Sequence, residues 1–391
     1  MSAKSNGETT VVVGMSGGVD SSVSAYLLKQ QGFNVVGLFM KNWEETNDCG
    51  CCTAEADFND VKRVCEKIGI PYYSVNFSQQ YLDRVFAHFL DGLKRGITPN
   101  PDVLCNREIK FGPFLDFADK IGADFIATGH YARNEVTKHM AEPSRSAAPR
   151  HIVDAYLLKG TDPTKDQSYF LCGLSQRQLG RVIFPVGDMH KTEVRRIARE
   201  LGLSTAEKKD STGICFIGER RFNEFVKTYL GEKSGEIRTL DGEVVGTHRG
   251  LMYYTIGQRK GMGLGANRGS GGGTPPDTRR WFVIKKDIAT NTLYVNNGDC
   301  PELYSRTLIA DNFNFICPPT TQKFSCTAKT RYRQPDQDCV VEILGELRLP
   351  NPLLGVRVTF AEPQRAVTPG QWVVLYDGDV CLGGGEITSA K

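Results

Sequence analysis

The sequence predicts an α/β protein in which a parallel sheet is followed by a small central α+β domain and a C-terminal β-barrel. Three observations predict it. Over the first ~130 residues, apolar β-branched runs alternate with segments that carry apolar residues at helical spacing, the pattern of parallel strands joined by right-handed crossovers. Near Asp210 the composition turns Gly-rich, with short strand signals only. From Arg280 onward short β segments and turns succeed one another at the spacing of a small barrel. The division expected is 1–208, 209–276 and 277–391, and 391 residues suffice for two or three domains.

The first element is the most informative. The run Val11-Val12-Val13 stops at Gly14, a turn of small residues follows through Met15-Ser16-Gly17-Gly18-Val19-Asp20-Ser21, and Ser22 to Gln31 has helical apolar spacing. A strand, a glycine-rich turn and a helix N-terminus present backbone N–H groups and a favourable dipole to a phosphate. Gly17 and Gly18 permit close approach, Ser16, Ser21 and Ser22 add hydroxyls, and Asp20 places a carboxylate where Mg²⁺ could bridge to phosphates. A Walker loop is excluded, because no Lys lies between Val11 and Leu28. The dinucleotide fingerprint of three spaced glycines is poorly matched. A bare strand–helix turn would need neither the acid nor the three hydroxyls.

The remaining elements follow in order. Val35 to Met40 reads as a second buried strand, and Phe58, Val61, Cys65 and Ile68 mark a helix ending at Gly69. Pro71 to Val75 is a third strand, and Val85, Phe86, Phe89, Leu90 and Leu93 stripe a long helix. After the Pro99-Asn100-Pro101 break comes another helix, then Phe125 to Gly129 as a fourth strand. Ligands of parallel sheets sit beyond the carboxyl ends of the strands, which puts Gly14–Ser21, Met40 and Gly129-His130 on one rim. Thr192 to Leu201 forms a helix with an Arg-rich outer face. Met140–Arg150 and Gly269–Pro276 read as surface loops. Short strands are expected at Glu236–Arg238 and Glu243–Val245 in the central domain. Six are expected in the barrel: Trp281–Ile284, Thr292–Val295, Phe324–Tyr332, Val340–Ile343, Gly355–Phe360 and Trp372–Tyr376.

Composition narrows the function classes. Hydrophobic residues at 40% and charged residues at 24% are those of a globular chain with ample core. The net charge of +3 does not by itself imply nucleic acid, yet Thr247–Lys286 holds eight Lys or Arg against the single acid Asp277. Such a stretch suits either a solvated basic face or a nucleic-acid contact. Met1–Thr10 has no apolar core of a signal peptide, and no apolar run is long enough to span a membrane, so a cytoplasmic location without a membrane partner is expected. In that compartment the twelve cysteines are reduced thiols, and any disulfide is catalytic.

Two cysteines stand in chemical contexts. In Pro99-Asn100-Pro101-Asp102-Val103-Leu104-Cys105-Asn106 the prolines deliver Asp102 and Cys105 to the start of a helix, where the dipole favours a thiolate. In Asp210-Ser211-Thr212-Gly213-Ile214-Cys215-Phe216 turn residues expose a thiol, with Lys208 and Lys209 close by. Cys65, Cys172, Cys326 and Cys339 sit in apolar or strand patterns and read as core. Cys49, Cys51 and Cys52 behind Asp48 lack the usual zinc spacing and fit a redox-active loop better than a metal site.

These motifs together resemble the tRNA-specific 2-thiouridylases, of the ATP pyrophosphatase superfamily with a Ser-Gly-Gly-x-Asp-Ser loop. The matching stretches are Gly14–Ser21, Gly37–Trp43, Thr98–Phe111, Ala127–Arg133, Lys165–Phe170, Asp210–Phe216, Tyr254–Arg259 and Lys329–Arg333. The resemblance implies an adenine-nucleotide hydrolase-like domain, with ATP and Mg²⁺ as cofactors and ATP held by Gly14, Met15, Ser16, Gly17, Gly18, Val19, Asp20, Ser21, Met40 and Gly129. It implies Cys105 as nucleophile and Cys215 as carrier of a persulfide. Asn100, Pro101 and Asp102 would meet the target base, and His130, Lys165, Asp166, Gln167, Arg331, Tyr332 and Gln371 would contact tRNA. A persulfide donor or relay protein would be the second partner. Alternatives from other classes are an ATP-dependent amidotransferase or ligase, which needs neither thiol, and a tRNA-binding or sulfur-carrier protein, which the Ser16–Ser21 loop argues against. An iron–sulfur cluster on Asp102, Cys105 and Cys215 is a further alternative.

Overall fold

The parallel sheet is built around the strand that opens the sequence. The structure, a computed structural model, describes residues 4–43, 53–136, 155–210, 222–264, 280–345 and 354–391. Strand β1 (Thr10–Met15) leads through Ser16–Gly18 into helix α1 (Val19–Gln30). Strand β2 (Asn34–Lys41), helix α2 (Thr53–Ile68) and strand β3 (Tyr72–Asn76) follow. Helix α3 (Ser78–Tyr81), a π-turn (Leu82–Phe86) and α4 (Ala87–Lys94) make one long helical arm. Helix α5 (Pro101–Cys105) runs into a second π-turn (Asn106–Lys110), and α6 (Pro113–Lys120) precedes β4 (Phe125–Ala127). A hairpin of β5 (Ala132–Val136) and β6 (Ala155–Lys159) comes next, with α7 (Ser168–Leu171), α8 (Gln176–Leu179), β7 (Val182–Ile183) and α9 (Lys191–Glu200).

The sheet order is β3-β2-β1-β4-β7, and every pairing is parallel. Strand order therefore reverses between β1 and β4, and a crevice opens beyond their carboxyl ends. Val11, Val13 and Met15 pack with Ala25, Leu28, Val61 and Val64 on one face of the sheet. Val12 belongs to the larger apolar cluster that also holds Phe114, Leu115 and Ile126. A run of β-branched residues buried on both faces is what a central parallel strand requires.

The central unit comprises α10 (Phe222–Leu230), β8 (Gly235–Thr239), β9 (Val244–His248), β10 (Trp281–Asp287) and β11 (Thr292–Asn297), in a sheet of order β10-β11-β8-β9. The expectation that Trp281–Ile284 and Thr292–Val295 belong to the barrel is thereby corrected. Leu293 and Val295 register with Ile237 and Thr239, so both strands complete the central sheet. The barrel is nevertheless six-stranded: β12 (Tyr304–Phe315), β13 (Lys323–Lys329), β14 (Gln337–Leu344), β15 (Leu354–Arg365), β16 (Trp372–Asp377) and β17 (Val380–Ala390). It closes in the order β12-β15-β14-β13-β16-β17, with β12 and β17 paired. The two strands that the sequence does not predict have weak signals for physical reasons. Register shifts interrupt the alternation of β12. In β17 the run Gly383-Gly384-Gly385 reads as loop, yet a Cβ at Gly384 would stand 2.6 Å from Cys172 Sγ and one at Gly385 2.7 Å from the Phe313 ring. Glycine is there for close approach.

Among the contacts that tie the units together, two bear on the site. The hairpin β5–β6 extends the barrel sheet, with Val380 opposite Leu158 and Cys381 opposite Leu157. Another is at Thr98, just before α5. Thr98 N–H donates to Pro369 O (2.9 Å), and Gln371 Nε2 donates to Thr98 O (2.7 Å). Lys286 of the central sheet donates to Tyr254 O (2.9 Å) and reaches within 3.5 Å of Thr98 Oγ1. Burial lowers the Lys286 ammonium to about 8. Gly370 has φ +90°, and a Cβ there would lie 2.8 Å from Thr98 C. Gly370→Ala is expected to cost on the order of 1–3 kcal/mol, from backbone strain and from wedging the barrel off Thr98. A denaturant midpoint equal to that of the parent would refute this.

Candidate active site

The loop between β1 and α1 is shaped for an anion. Gly17 has φ +74°, and a Cβ there would lie 2.7 Å from Asp57 O, so only glycine makes the turn. Helix α1 begins at Gly18 without a side-chain cap, which leaves its first amides for a ligand. Hydroxyls hold the loop from within. Ser16 Oγ and Ser21 Oγ are 3.1 Å apart, Ser21 Oγ accepts from Ser16 N–H (3.2 Å), and Ser22 Oγ donates to Gly18 O (2.8 Å). Gly14 and Met40 lie side by side, since a Cβ on Gly14 would stand 3.2 Å from Met40 Cε. Gly129, at the end of β4, abuts α1 so closely that a Cβ would fall 2.6 Å from Ser21 N. The structure thus brings Gly14, Met15, Ser16, Gly17, Gly18, Val19, Asp20, Ser21, Met40 and Gly129 to one rim, at the switch point of the sheet.

An ion network borders this loop that sequence spacing does not disclose. Lys191 Nζ, at the start of α9 and 9% exposed, donates to both oxygens of Asp20 (2.7 Å each) and to Asp210 Oδ1 (2.8 Å). Tyr131 OH donates to Asp20 Oδ1 (2.7 Å). Asp210 also accepts from Lys165 (2.7 Å) and Arg195 (2.9 Å). Partial burial of Asp210 is outweighed by Lys165 and Lys191, which hold its carboxyl well below the usual range. Burial, and then the Asp20 charge, raise Tyr131, so it stays a donor. On the far side of the loop Lys208 donates to Gly17 O (2.9 Å), Asp57 (2.6 Å) and Asp60 (2.8 Å). The one signal in the sequence was the acidic and basic bias of 191–210, which has no spacing rule.

For a magnesium ion the donor set is limited. Among the described residues no group of three or more His, Cys, Asp or Glu could hold a metal. Asp20, the carboxylate in the first turn of α1, already shares both oxygens with Lys191, and a single carboxylate fits Mg²⁺ only when phosphate oxygens and water complete its shell.

The second half of the site is the α5 region. Asn100 Oδ1 accepts from Asp102 N–H (3.2 Å) and Val103 N–H (3.4 Å), and Pro101 occupies the first helical position. Because the cap is Asn100, Cys105 lies beyond the first turn, in continuous helix with the following π-turn. The expectation of a thiol at a helix N-terminus is corrected accordingly. Cys105 is fully buried, in the same apolar cluster as Val103, Leu104 and Ile109. His130 follows Gly129 and is buried between the rings of Phe111 (5.9 Å) and Phe184 (6.3 Å), with Nδ1 2.8 Å from Thr128 Oγ1. Burial, reinforced by Lys110, pushes its pKa well below the ordinary value.

Several residues expected on the RNA surface make internal contacts instead. Lys165 holds Asp210 (2.7 Å). Asp166 accepts from Gly160 N–H and Ser168 N–H (3.0 Å each) and is 8% exposed. Gln167 Oε1 accepts from Tyr131 N–H (2.9 Å), and Gln371 holds Thr98. Tyr332 is half-buried against Phe170, with ring centroids 4.5 Å apart, whereas Arg331 is exposed. Near them opens a cleft of about 920 Å³, lined by Arg133, Lys159, Lys165, Lys329 and Arg333 among others. The core cysteines fall as expected: Cys65, Cys172 and Cys339 are buried, and Cys326 is half-buried with Sγ 3.7 Å from Cys339 Sγ. Burial pushes the Cys65 thiol up to about 12. Cys215, Cys49, Cys51 and Cys52 lie outside the described residues, as do Met140–Arg150, Gly269–Pro276 and all of Asp210–Phe216 except Asp210.

A parallel sheet with a serine–glycine anion loop at its switch point defines a nucleotide-binding HUP-type protein. The chain matches the family model described as tRNA methyl transferase HUP domain over residues 9–219. It also matches the tRNA methyl transferase PRC-barrel domain over 223–297 and the aminomethyltransferase β-barrel domain over 305–387. It is 56% identical over 385 residues to the tRNA-specific 2-thiouridylase MnmA of Staphylococcus saprophyticus, covering 98% of this chain and 96% of that one. It is 56% identical to the tRNA-specific 2-thiouridylase MnmA 1 of Geobacillus kaustophilus (95% and 94% covered) and 54% to that of Alkaliphilus oremlandii (98% and 98%). The chain belongs to the tRNA-specific 2-thiouridylase family.

The state of His130 is measurable. Burial disfavours its protonated form in the fold, so below about pH 6.5 the unfolded state binds more protons there and stability falls as pH drops through that value. Histidine NMR of the parent against His130→Gln is expected to show one ring that does not titrate between pH 8 and 5.5 while the fold persists; a normal titration there would sink the assignment.

Proposed function

We propose that this chain catalyses the ATP-dependent 2-thiolation of the wobble uridine of tRNA. The observation that carries the reading is 54–56% identity to 2-thiouridylases over nearly the whole chain. The geometry at the β1–α1 turn agrees with it, because an enzyme that exchanges a carbonyl oxygen must first turn that oxygen into a leaving group. The C2 oxygen of the base attacks the α-phosphorus of ATP, and pyrophosphate departs. The amides of Gly17–Ser21 and the dipole of α1 face the departing charge. Mg²⁺, held by Asp20 together with phosphate oxygens, would add charge neutralisation there.

Sulfur then replaces the adenylated oxygen. In our assignment Cys215 carries the persulfide. Cys105 attacks its inner sulfur, which forms a Cys105–Cys215 disulfide and releases sulfide, and sulfide adds to C2 and expels AMP. In the alternative order the terminal sulfur adds to C2 first, and Cys105 then breaks the S–S bond to form the same disulfide. Either way a reductant of the dithiol class must reset the pair. The full burial of Cys105 means that target-base entry has to uncover it. Asn100, Pro101 and Asp102 stand one turn ahead of the thiol and are assigned to the base. His130, Lys165, Asp166, Gln167, Arg331, Tyr332 and Gln371 are assigned to tRNA contact, and their present internal bonds imply that RNA binding rearranges some of them. A persulfide relay protein as donor and a cytoplasmic location complete the proposal. Among the described residues no helix is long and apolar enough to cross a membrane.

The test is direct. Unmodified tRNA, ATP, Mg²⁺ and a persulfide donor should yield 2-thiouridine, AMP and pyrophosphate. Cys105→Ser and Cys215→Ser should each lower thiolation at least 1,000-fold, while Cys215→Ser still adenylates tRNA. AMP transferred to a small molecule with no thiolated base would favour the ligase reading. Iron and sulfide recovered anaerobically, together with loss of activity on chelation, would replace the two-thiol mechanism with a cluster.

A further inference from the structure

Three cations, Lys165, Lys191 and Arg195, converge on the carboxylate of Asp210 at 2.7, 2.8 and 2.9 Å. Lys191 also spans to Asp20 in the first turn of α1, at 2.7 Å. The group therefore carries three positive charges against two negative ones. Through Asp20 it adjoins the first turn of α1, whose N-cap, Gly18, carries no side-chain cap. Lys191 is 9% exposed and cannot turn to water, whereas Asp210 is 35% exposed and can leave. If Asp210 leaves, Lys191 retains Asp20 alone, and three cations stand against one carboxylate, an excess of positive charge that a second anion offsets. A phosphate oxygen has the charge and the small radius to take the place of the carboxylate among lysine and arginine donors.

We propose that Lys191, with Arg195, binds the terminal phosphates of ATP, and that Asp210 is a displaceable carboxylate competing with those phosphates for the same cations. This rests on the reading of the site as an ATP site. Asp20 keeps its bond to Lys191 throughout and fixes the ammonium against the loop, with Tyr131 OH on the same carboxylate. Asp210 satisfies the cluster when no nucleotide is bound, and nucleotide binding carries the cost of breaking its three ion pairs. AMP has no β- or γ-phosphate and does not compete with Asp210.

A purely structural ion cluster and a phosphate site respond oppositely to loss of the carboxylate. Binding of ATP, inorganic pyrophosphate and AMP, each with Mg²⁺, is measured by calorimetry on the full chain without tRNA. Asp210→Asn is expected to bind ATP and pyrophosphate at least threefold more tightly than the parent, with AMP unchanged. Arg195→Gln and Lys191→Gln are expected to weaken ATP and pyrophosphate at least tenfold, again with AMP unchanged. Arg195, 22% exposed, is the variant that keeps its fold if the buried Lys191 site does not tolerate substitution. The proposal is overturned if Asp210→Asn binds ATP no tighter than the parent, or if the cation variants weaken AMP as much as ATP. A parent chain that binds ATP alongside either result leaves the ATP site standing and removes only this proposal. A parent that binds none of the three removes both.

Discussion

Thr98 is the point on which the arrangement of the site depends. Its N–H and C=O are taken by Pro369 and Gln371 of the barrel, and Lys286 of the central sheet approaches its hydroxyl. Two residues later Asn100 starts α5, which carries Asp102 and Cys105. The barrel therefore shares in aiming the thiol-bearing helix of the parallel-sheet unit. The segment leading into α5 is held by a backbone bond to Pro369 and a side-chain bond from Gln371 of a barrel more than 270 residues further along. Backbone groups that are buried must be paired, so the clamp holds without any particular side chain at Thr98.

The crevice at the switch point is arranged by a different force. Glycine at 129 lets β4 touch the first turn of α1, and the hydroxyls of Ser16, Ser21 and Ser22 pair among themselves and with loop backbone. Around this turn the positive charges are placed by α9 and the segment before Asp210, which bring Lys191, Arg195 and Lys208 to it. Buried ion pairs of this kind contribute little net stability but do fix geometry. Their organisation around carboxylates explains how so many cations tolerate one another. The same holds for Lys165, Asp166 and Gln167. The family resemblance implies them as contacts for RNA, and in this structure they bind Asp210, Ser168 and Tyr131.

The legible part of the molecule was the part governed by local rules. Val11–Val13, Val35–Met40 and Phe125–Ala127 are apolar enough to be strands buried on both faces, and each is one. The glycines and serines of 14–21 have a backbone and hydrogen-bonding role that spacing expresses. The barrel was legible as a class but not strand by strand, because a bulged β12 and a glycine-run β17 do not alternate. For the same reason β10 and β11 were indistinguishable from barrel strands until their pairing with β8 was known.

Sequence alone determined the α/β class, the anion loop at the end of the first strand, the core role of Cys65, Cys172 and Cys339, and the kinship of the motifs. All of these depend on residue identity over a few positions. The tertiary structure decided which charges surround the loop, that Cys105 is buried one turn inside its helix, and that the barrel shares in aiming that helix. Such facts depend on contacts between residues far apart in the chain, and no local periodicity encodes a partner that lies 100 to 300 positions away.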